Sequence, residues 1–363
     1  NASKSEGDSG SSTLSIPLTV TGAAAATGTL TVTYSLANGT ATGGASCGAG
    51  VDFVNTGTST TIAANTSSGS IDVTVCGDTI TEGNETFTVT VSAVTNAILG
   101  ATTTATGTIN NDDTDPTVSL STSASSMSET GGSVTVTATL SAVSANNVTV
   151  PISTPTGTAT KDTDYSLSGT SISINAGSTT GSITVSSIGD TTYEGNETVI
   201  LSMGTPTNAT ASGGSVTITI TEDDSPPTLT IASVSQKEGD PVRVSGTTTY
   251  TTTMTFTVSK SGTTALSATV DYATSNGTAV SGTCGSGSTA DYQAASGTLT
   301  FAAGDTSKTF TVTTCWDTTS EADESFNVTL SNATNSTITG TNPATGTLQD
   351  DPDPVPTVSL SGT

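Results

Sequence analysis

The sequence has no histidine. That removes Ser-His and Cys-His nucleophile systems and the commonest ligand of transition metals. Only six lysines and arginines face 31 acids, for a formal net charge of -25. Such a surface argues against a nucleic-acid partner and favours cations. Aromatic residues make up 4%, with a single tryptophan, Trp316, so little is available for stacking on sugars or bases. No apolar run approaches the roughly 20 residues that span a bilayer as a helix, and no membrane span is expected. No stretch carries a 3.6-residue apolar stripe, so helices are not expected either. The first residues do not read as a leader peptide, which leaves a mature chain and a piece of a longer one both open.

High net charge with few aromatics is also the composition of a disordered chain. The pattern of the residues present says otherwise. SVTVTATL (133–140), SVTITITED (215–223), KTFTVTTCW (308–316) and ETFTVTVSAV (85–94) alternate apolar residues with Thr or Ser. A period of two is the mark of a half-buried strand, with Thr on the wet face. Gly, Asn and Asp clusters break these runs at short intervals, as in all-β sandwiches. A length of 363 residues suggests two or three domains.

An internal repeat organises the chain. The first copy has EGD (6–8), GVDF (50–53), GDTITEGNETF (77–87) and NNDD (110–113). The second has SET (128–130), DTDY (162–165), GDTTYEGNETV (189–199) and TEDD (221–224). The third has KEGD (237–240), TADY (289–292), WDTTSEADESF (316–326) and QDD (349–351). Asp52 to Asp78, Asp164 to Asp190 and Asp291 to Asp317 each span 26 residues. Glu85 to Asp112 spans 27, and Glu197 to Asp223 and Glu324 to Asp350 span 26. One strand framework used three times explains such constancy. Length differences fall in the first half of each unit and belong to loops.

The GTA…DY segment (Gly157, Thr158, Ala159, Asp164, Tyr165), the D-x-x-x-E-x-x-E motif and the closing DD resemble the Calx-β domain. The resemblance covers nearly the whole chain. It implies three calcium-binding, immunoglobulin-like antiparallel sandwiches in a head-to-tail rod, an all-β fold. The expected units are 1–115, lacking its first strand, then 116–226 and 227–354. Residues 355–363 would form a first strand for the next unit's repeat 1.

Each copy brings seven acids to these landmarks: Glu6, Asp52, Asp78, Glu82, Glu85, Asp112 and Asp113; Glu129, Asp164, Asp190, Glu194, Glu197, Asp223 and Asp224; Glu238, Asp291, Asp317, Glu321, Glu324, Asp350 and Asp351. Turn chemistry accounts for Asp and Asn at loop ends. It does not account for Glu at fixed offsets. Hard oxygen donors in this number suit Ca²⁺, which takes six to eight at about 2.3–2.6 Å. Mg²⁺ is second, because it keeps its waters. The resemblance implies that these loops meet at one end of each sandwich, near the short linkers TDP, SPP and PDPVP. Calcium there would stiffen the junctions.

Of the three possible cysteine pairings, Cys47–Cys76 and Cys284–Cys315 is the natural one, because the positions correspond between copies one and three. Disulfides place the chain in an oxidising setting, outside a cell or on a surface; the resemblance adds that this surface is bacterial. The copies of PTVSLS at 116–121 and 356–361 are identical. In copy two, seven residues separate that strand from Glu129. Joining Thr363 to Asn1 leaves seven before Glu6. The expectation is a filament or stalk built by strand addition between copies, a homopolymer, or one period of a longer chain. The other reading is a calcium-dependent adhesin that meets a surface ligand through variable loops such as 239–255, with Arg243 and Tyr250. Acid pairs occurring three times at metal density, without histidine, do not read as an enzyme.

Overall fold

The computed structural model describes residues 1–21, 28–318 and 320–351. Among these every regular element is a strand, as the two-residue alternation requires. In Ser133–Leu140, Val134, Val136, Ala138 and Leu140 are buried, and the Ser and Thr between them face outward or sit at the margin. The same alternation runs through Thr251–Ser261, where Met254, Phe256 and Val258 are fully buried. These strands stack two sheets face to face in each repeat.

In repeat 1, one sheet runs Ala2–Ser5, Thr104–Asn110, Glu85–Val94, Leu30–Asn38, Ser59–Ile62. The other runs Gly10–Thr19, Ser68–Gly77, Phe53–Val54, Gly43–Gly44. Repeats 2 and 3 keep this plan, with Val134 and Met254 in the places of Leu14. Each repeat has its own core. That of repeat 3 is the most aromatic. Phe256 stacks on Phe310 at 5.4 Å and meets Phe326 edge-on at 6.0 Å, while Tyr292 stacks on Phe326 at 4.3 Å. Gly107 and Gly346 lie against the rings of Phe87 and Phe326, where any Cβ would collide with the ring.

One feature of the topology positions the site. Near its start, each repeat has a short strand lying parallel to its own last strand. Ala2–Ser5 pairs with Gly107–Asn110, Ser126–Ser128 with Thr219–Thr221, and Val234–Lys237 with Gly346–Gln349. Parallel pairing sends both strands out at the same end. Glu6, Glu129 and Glu238 therefore emerge beside the closing acids, their N–H groups donating to the carbonyls of Asn110, Thr221 and Gln349.

Both expected disulfides are present, Cys47–Cys76 and Cys284–Cys315. They tie the long loops before Asp52 and Asp291 to the strands that end at Gly77 and Cys315. The anticipated strand at 355–363 lies outside the described residues. Replacing Phe256 by Ala is expected to lower the stability of repeat 3 by about 3–5 kcal/mol. Calorimetry should show one component of the melting profile moving. A uniform shift of the whole profile would contradict separate cores.

Candidate metal centre

An Asp followed by a buried aromatic, Asp52-Phe53, Asp164-Tyr165 or Asp291-Tyr292, fixes the first acid of each repeat. The carboxylates of Asp52, Asp164 and Asp291 accept from the backbone N–H of Thr42, Thr160 and Val280 at 2.6, 2.5 and 2.6 Å. Their carbonyls accept from Cys76, Ile188 and Cys315. The Thr of GTA supports the neighbouring strand. Thr40, Thr158 and Thr278 accept through Oγ1 from the N–H of Thr86, Thr198 and Ser325. Asp78 and Asp190 each cap their own loop, accepting from Ile80 and Thr192 two residues on.

With that frame set, the glutamates of D-x-x-x-E-x-x-E close on the same Asp. Asp52, Glu82 and Glu85 offer oxygens within 4.8 Å of one another, as do Asp164, Glu194 and Glu197, and Asp291, Glu321 and Glu324. A fourth group, Glu129, Glu222 and Asp224, lies in repeat 2. Burial and crowding raise several of these carboxyls above the usual carboxylate range. Burial first, then a hydrogen bond with Asp52, lifts Glu85 to about 8. Burial followed by the charge of Asp164 lifts Glu197 to about 7, and burial with a bond to Asp291 does the same for Glu324. Glu6 and Glu238 rise to about 7, through burial and then the acids around them, Glu82 and Asp113 for the first and Asp317 and Glu321 for the second. Glu129 reaches about 7 through burial and its bond with Glu222. Glu82 and Glu194 are also raised, mainly by burial.

The donor set fits a hard cation on direct observations. Glu6 is 6% exposed, yet its Oε1 has no hydrogen-bond partner, and the same holds for buried Oδ2 atoms of Asp113 and Asp224. A buried carboxylate oxygen left unpaired is costly; a cation is the partner that all-oxygen crowding selects.

The structure also corrects the register of the closing acids. Strand pairing sets Glu85 opposite Ile109, Glu197 opposite Ile220 and Glu324 opposite Leu348. Two residues on, Asn111, Glu222 and Asp350 therefore share one position. Each accepts the N–H of the motif glutamate, Glu82, Glu194 or Glu321, at 3.0, 2.5 and 3.0 Å. Asp350 thus corresponds to Asn111, not to Asp112, and Asp351 takes the place of Asp112 and Asp223. Glu222, overlooked when TEDD was read as a bare acid pair, joins the cluster. Asp223 turns away from it. It accepts from Ser128 Oγ at 2.8 Å and from Thr130 N at 3.3 Å, which keeps its carboxyl below the usual range. Asp112 accepts in the corresponding place from the N–H of Gly7, at 2.9 Å.

These acid loops are also the seams between repeats. Thr81, between Asp78 and Glu82, forms a parallel bridge with Ser144 of repeat 2, and its carbonyl accepts from Ala145 at 3.3 Å. Tyr193, between Asp190 and Glu194, does the same with Thr264 of repeat 3, and its carbonyl accepts from Ala265 at 3.1 Å and from Thr264 Oγ1 at 2.9 Å. Thr81, Ser144 and Thr264 are buried.

The chain is similar to several solved structures. The apo-form Calx CBD1 domain is 22% identical, covering 35% of this chain and all of that one, with a TM-score of 0.29. The calcium binding domain CBD12 of CALX1.1 is 20% identical over 57% of this chain and 77% of that one, with a TM-score of 0.25. A tetra-tandem repeat from the extending region of a large adhesion protein is 16% identical over 93% and 70%, with a TM-score of 0.38. No curated protein matches the chain. The Calx-beta domain family matches three times, at residues 5–113, 111–224 and 234–352. With its acid clusters and repeated strand plan, the chain belongs to the Calx-beta domain family and carries three of these domains in tandem.

Proposed function

We propose that the chain is an extracellular structural array, of bacterial surface type, in which calcium binds the acid clusters and stiffens the junctions. Copies then join end to end by strand addition into a filament or stalk. The observation that carries the calcium reading is the pairing of orphaned buried oxygens on Glu6, Asp113 and Asp224 with the crowded carboxyls around them. The ligand sets would be Asp52, Glu82 and Glu85 with Glu6 and Asp113 in repeat 1, and Asp164, Glu194 and Glu197 with Glu129, Glu222 and Asp224 in repeat 2. Repeat 3 would use Asp291, Glu321 and Glu324 with Glu238. The ion would supply charge cancellation. The protein's part is to hold the loops that the next repeat grips at Thr81 and Tyr193.

The disulfides support an oxidising compartment. A second reading, an adhesin, draws on the hairpin Val242–Val244 and Thr247–Thr249 of repeat 3. It presents Val242 and Val244 at 48% and 63% exposure around Arg243.

Removal of calcium by a chelator is expected to lower the melting temperature. An ion held at a hundredfold excess over its Kd contributes about 2.7 kcal/mol per site. Small-angle scattering should broaden at the same time, as the seams loosen. Melting and scattering both indifferent to the chelator would overturn the calcium reading.

The metal-free chain should respond to pH with a definite sign. Glu6, Glu85, Glu129, Glu197, Glu238 and Glu324 keep protons up to about 7 or 8 when folded, against 4.5 for an unperturbed Glu. Between these values the folded state binds more protons than the unfolded one, so stability falls as pH rises. Melting of the metal-free chain should therefore be highest near pH 5 and decline toward pH 8. The increment added by calcium should grow over the same window, because the ion replaces those protons. A metal-free melting temperature that climbs from pH 5 to pH 8 would contradict the crowding described.

A further inference from the structure

In repeat 2 the strand Thr117–Thr122 lies antiparallel on Ser133–Leu140, with Val118 opposite Leu140 and Leu120 opposite Ala138. Its other side runs parallel to Thr210–Ala211. Repeat 3 repeats this with Thr228–Ile231, between Thr251–Ser261 and Thr337–Ile338. The counterpart receiving strand in repeat 1 is Gly10–Thr19. Leu14 and Ile16 face Val73 and Ile71 there, as Val134 and Val136 face Val185 and Ile183. Among the described residues it pairs with Ser68–Gly77 alone, and its other edge is open.

Three further marks show a place made for a strand. Leu18 and Val20 hold the positions of Ala138 and Leu140. Those two are 0% and 5% exposed, whereas Leu18 and Val20 are only half-buried. On the far side, Asn96, Asn208 and Asn335 share a positive φ, and each donates through Nδ2 to the carbonyl of an equivalent residue, Thr29, Asn147 or Ser267. Two residues later Thr210 and Thr337 start the flanking strands of repeats 2 and 3. In repeat 1 those places hold Ile98 and Leu99, which are 96% and 39% exposed. Finally, the cores of repeats 2 and 3 are single clusters that include Val118, or Leu229 and Ile231. The core of repeat 1 divides, and Leu30, Val32 and Ile62 form a separate group bordered by Leu18 and Val20.

We propose that this groove is the receptor for residues 356–361 of a second copy of the chain. The inference rests on the filament reading and identifies where the copies join. The segment is PTVSLS, identical to 116–121, which fills the same place in repeat 2. Copying that register sets Val358 opposite Val20, Leu360 opposite Leu18, and Thr357 and Val358 beside Ile98 and Leu99. Val358 and Leu360 then rejoin the two parts of the core, and the strand covers an otherwise open apolar edge. The chain's own segment is badly placed to do this. Val358 comes seven positions after Asp351, a reach of at most about 25 Å, and repeats 2 and 3 are joined seam to seam in between. A second copy meets the groove as repeat 1 meets repeat 2, with the strand arriving directly after the acid end of the preceding domain.

The test is the full chain carrying Val20→Cys and Val358→Cys, oxidised in calcium, its four native cysteines already paired. The expected result is a ladder of covalent multiples of 35.4 kDa. In a second variant without added cysteines, Leu360→Asp should cut the assembled fraction by about tenfold or more and leave the calcium-dependent melting in place. An internally cross-linked monomer would overturn the inference, as would a chain that stays monomeric, or filaments undiminished by Leu360→Asp. So would a native polypeptide in which a preceding covalent segment already fills the groove. Failure here with calcium-dependent melting intact sinks this joint alone. Melting insensitive to calcium sinks the calcium reading whatever the cross-link shows.

Discussion

The mutual repulsion of carboxylates gathered at one end of each sandwich is the constraint around which this chain is arranged. Two strands leave in parallel at that end, an Asp followed by a buried aromatic is fixed as a third acid by backbone donors, and a glutamate pair closes over it. None of these elements is free to relax. The backbone of Glu6 is tied to Asn110, that of Asp52 to Cys76, and that of Glu82 to the side chain of Asn111. Without an ion, the available relief is protonation. That is why the Glu85 carboxyl, buried and bonded to Asp52, rises to about 8. The fold supplies the convergence of charge, and its stability then depends on what neutralises it.

The clusters do not carry equal charge. At the position that receives the motif glutamate's N–H, repeat 1 has the neutral Asn111, repeat 3 has Asp350 and repeat 2 has Glu222. Glu222 accepts from Glu194, Gly195 and Asp224, so its own carboxyl is held low while it raises Glu129 beside it. One position therefore keeps the backbone bond in all three repeats and changes the charge available. This separates the structural role of the site from its capacity for cations.

Much of this was legible in the sequence because strand alternation and fixed spacing are local properties. SVTVTATL declares its inside and outside residues without any knowledge of partners, and the correspondence of Cys47 and Cys76 with Cys284 and Cys315 implies their pairing. The register of the closing acids was not legible. Glu197 to Ile220 is one residue shorter than Glu85 to Ile109, so counting along the chain slid Asp350 onto the wrong partner. Glu222 was hidden for the same reason, since TEDD offers three consecutive acids and only strand pairing says which one turns inward. The seam was invisible as well. Thr81 and Ser144 carry no signal of their own, because a backbone bridge can be made by any residue.

The seam joins the chemistry of the site to the mechanics of the array. Thr81 and Tyr193 are each flanked by candidate ligands, Asp78 and Glu82 in one case, Asp190 and Glu194 in the other. A loop ordered by a cation on its inner side presents its backbone to the next repeat on its outer side. Conversely, a loop clasped by Ala145 or Ala265 is already in the conformation that brings its carboxylates together. Under the calcium reading the two events would share one segment of backbone, so each would lower the entropic cost of the other, and linkage would make that coupling reciprocal. A bend at the junction must break these backbone bridges. Under the calcium reading proposed above, resistance to bending would follow from where the acids sit in the chain, with no interface larger than a few backbone hydrogen bonds.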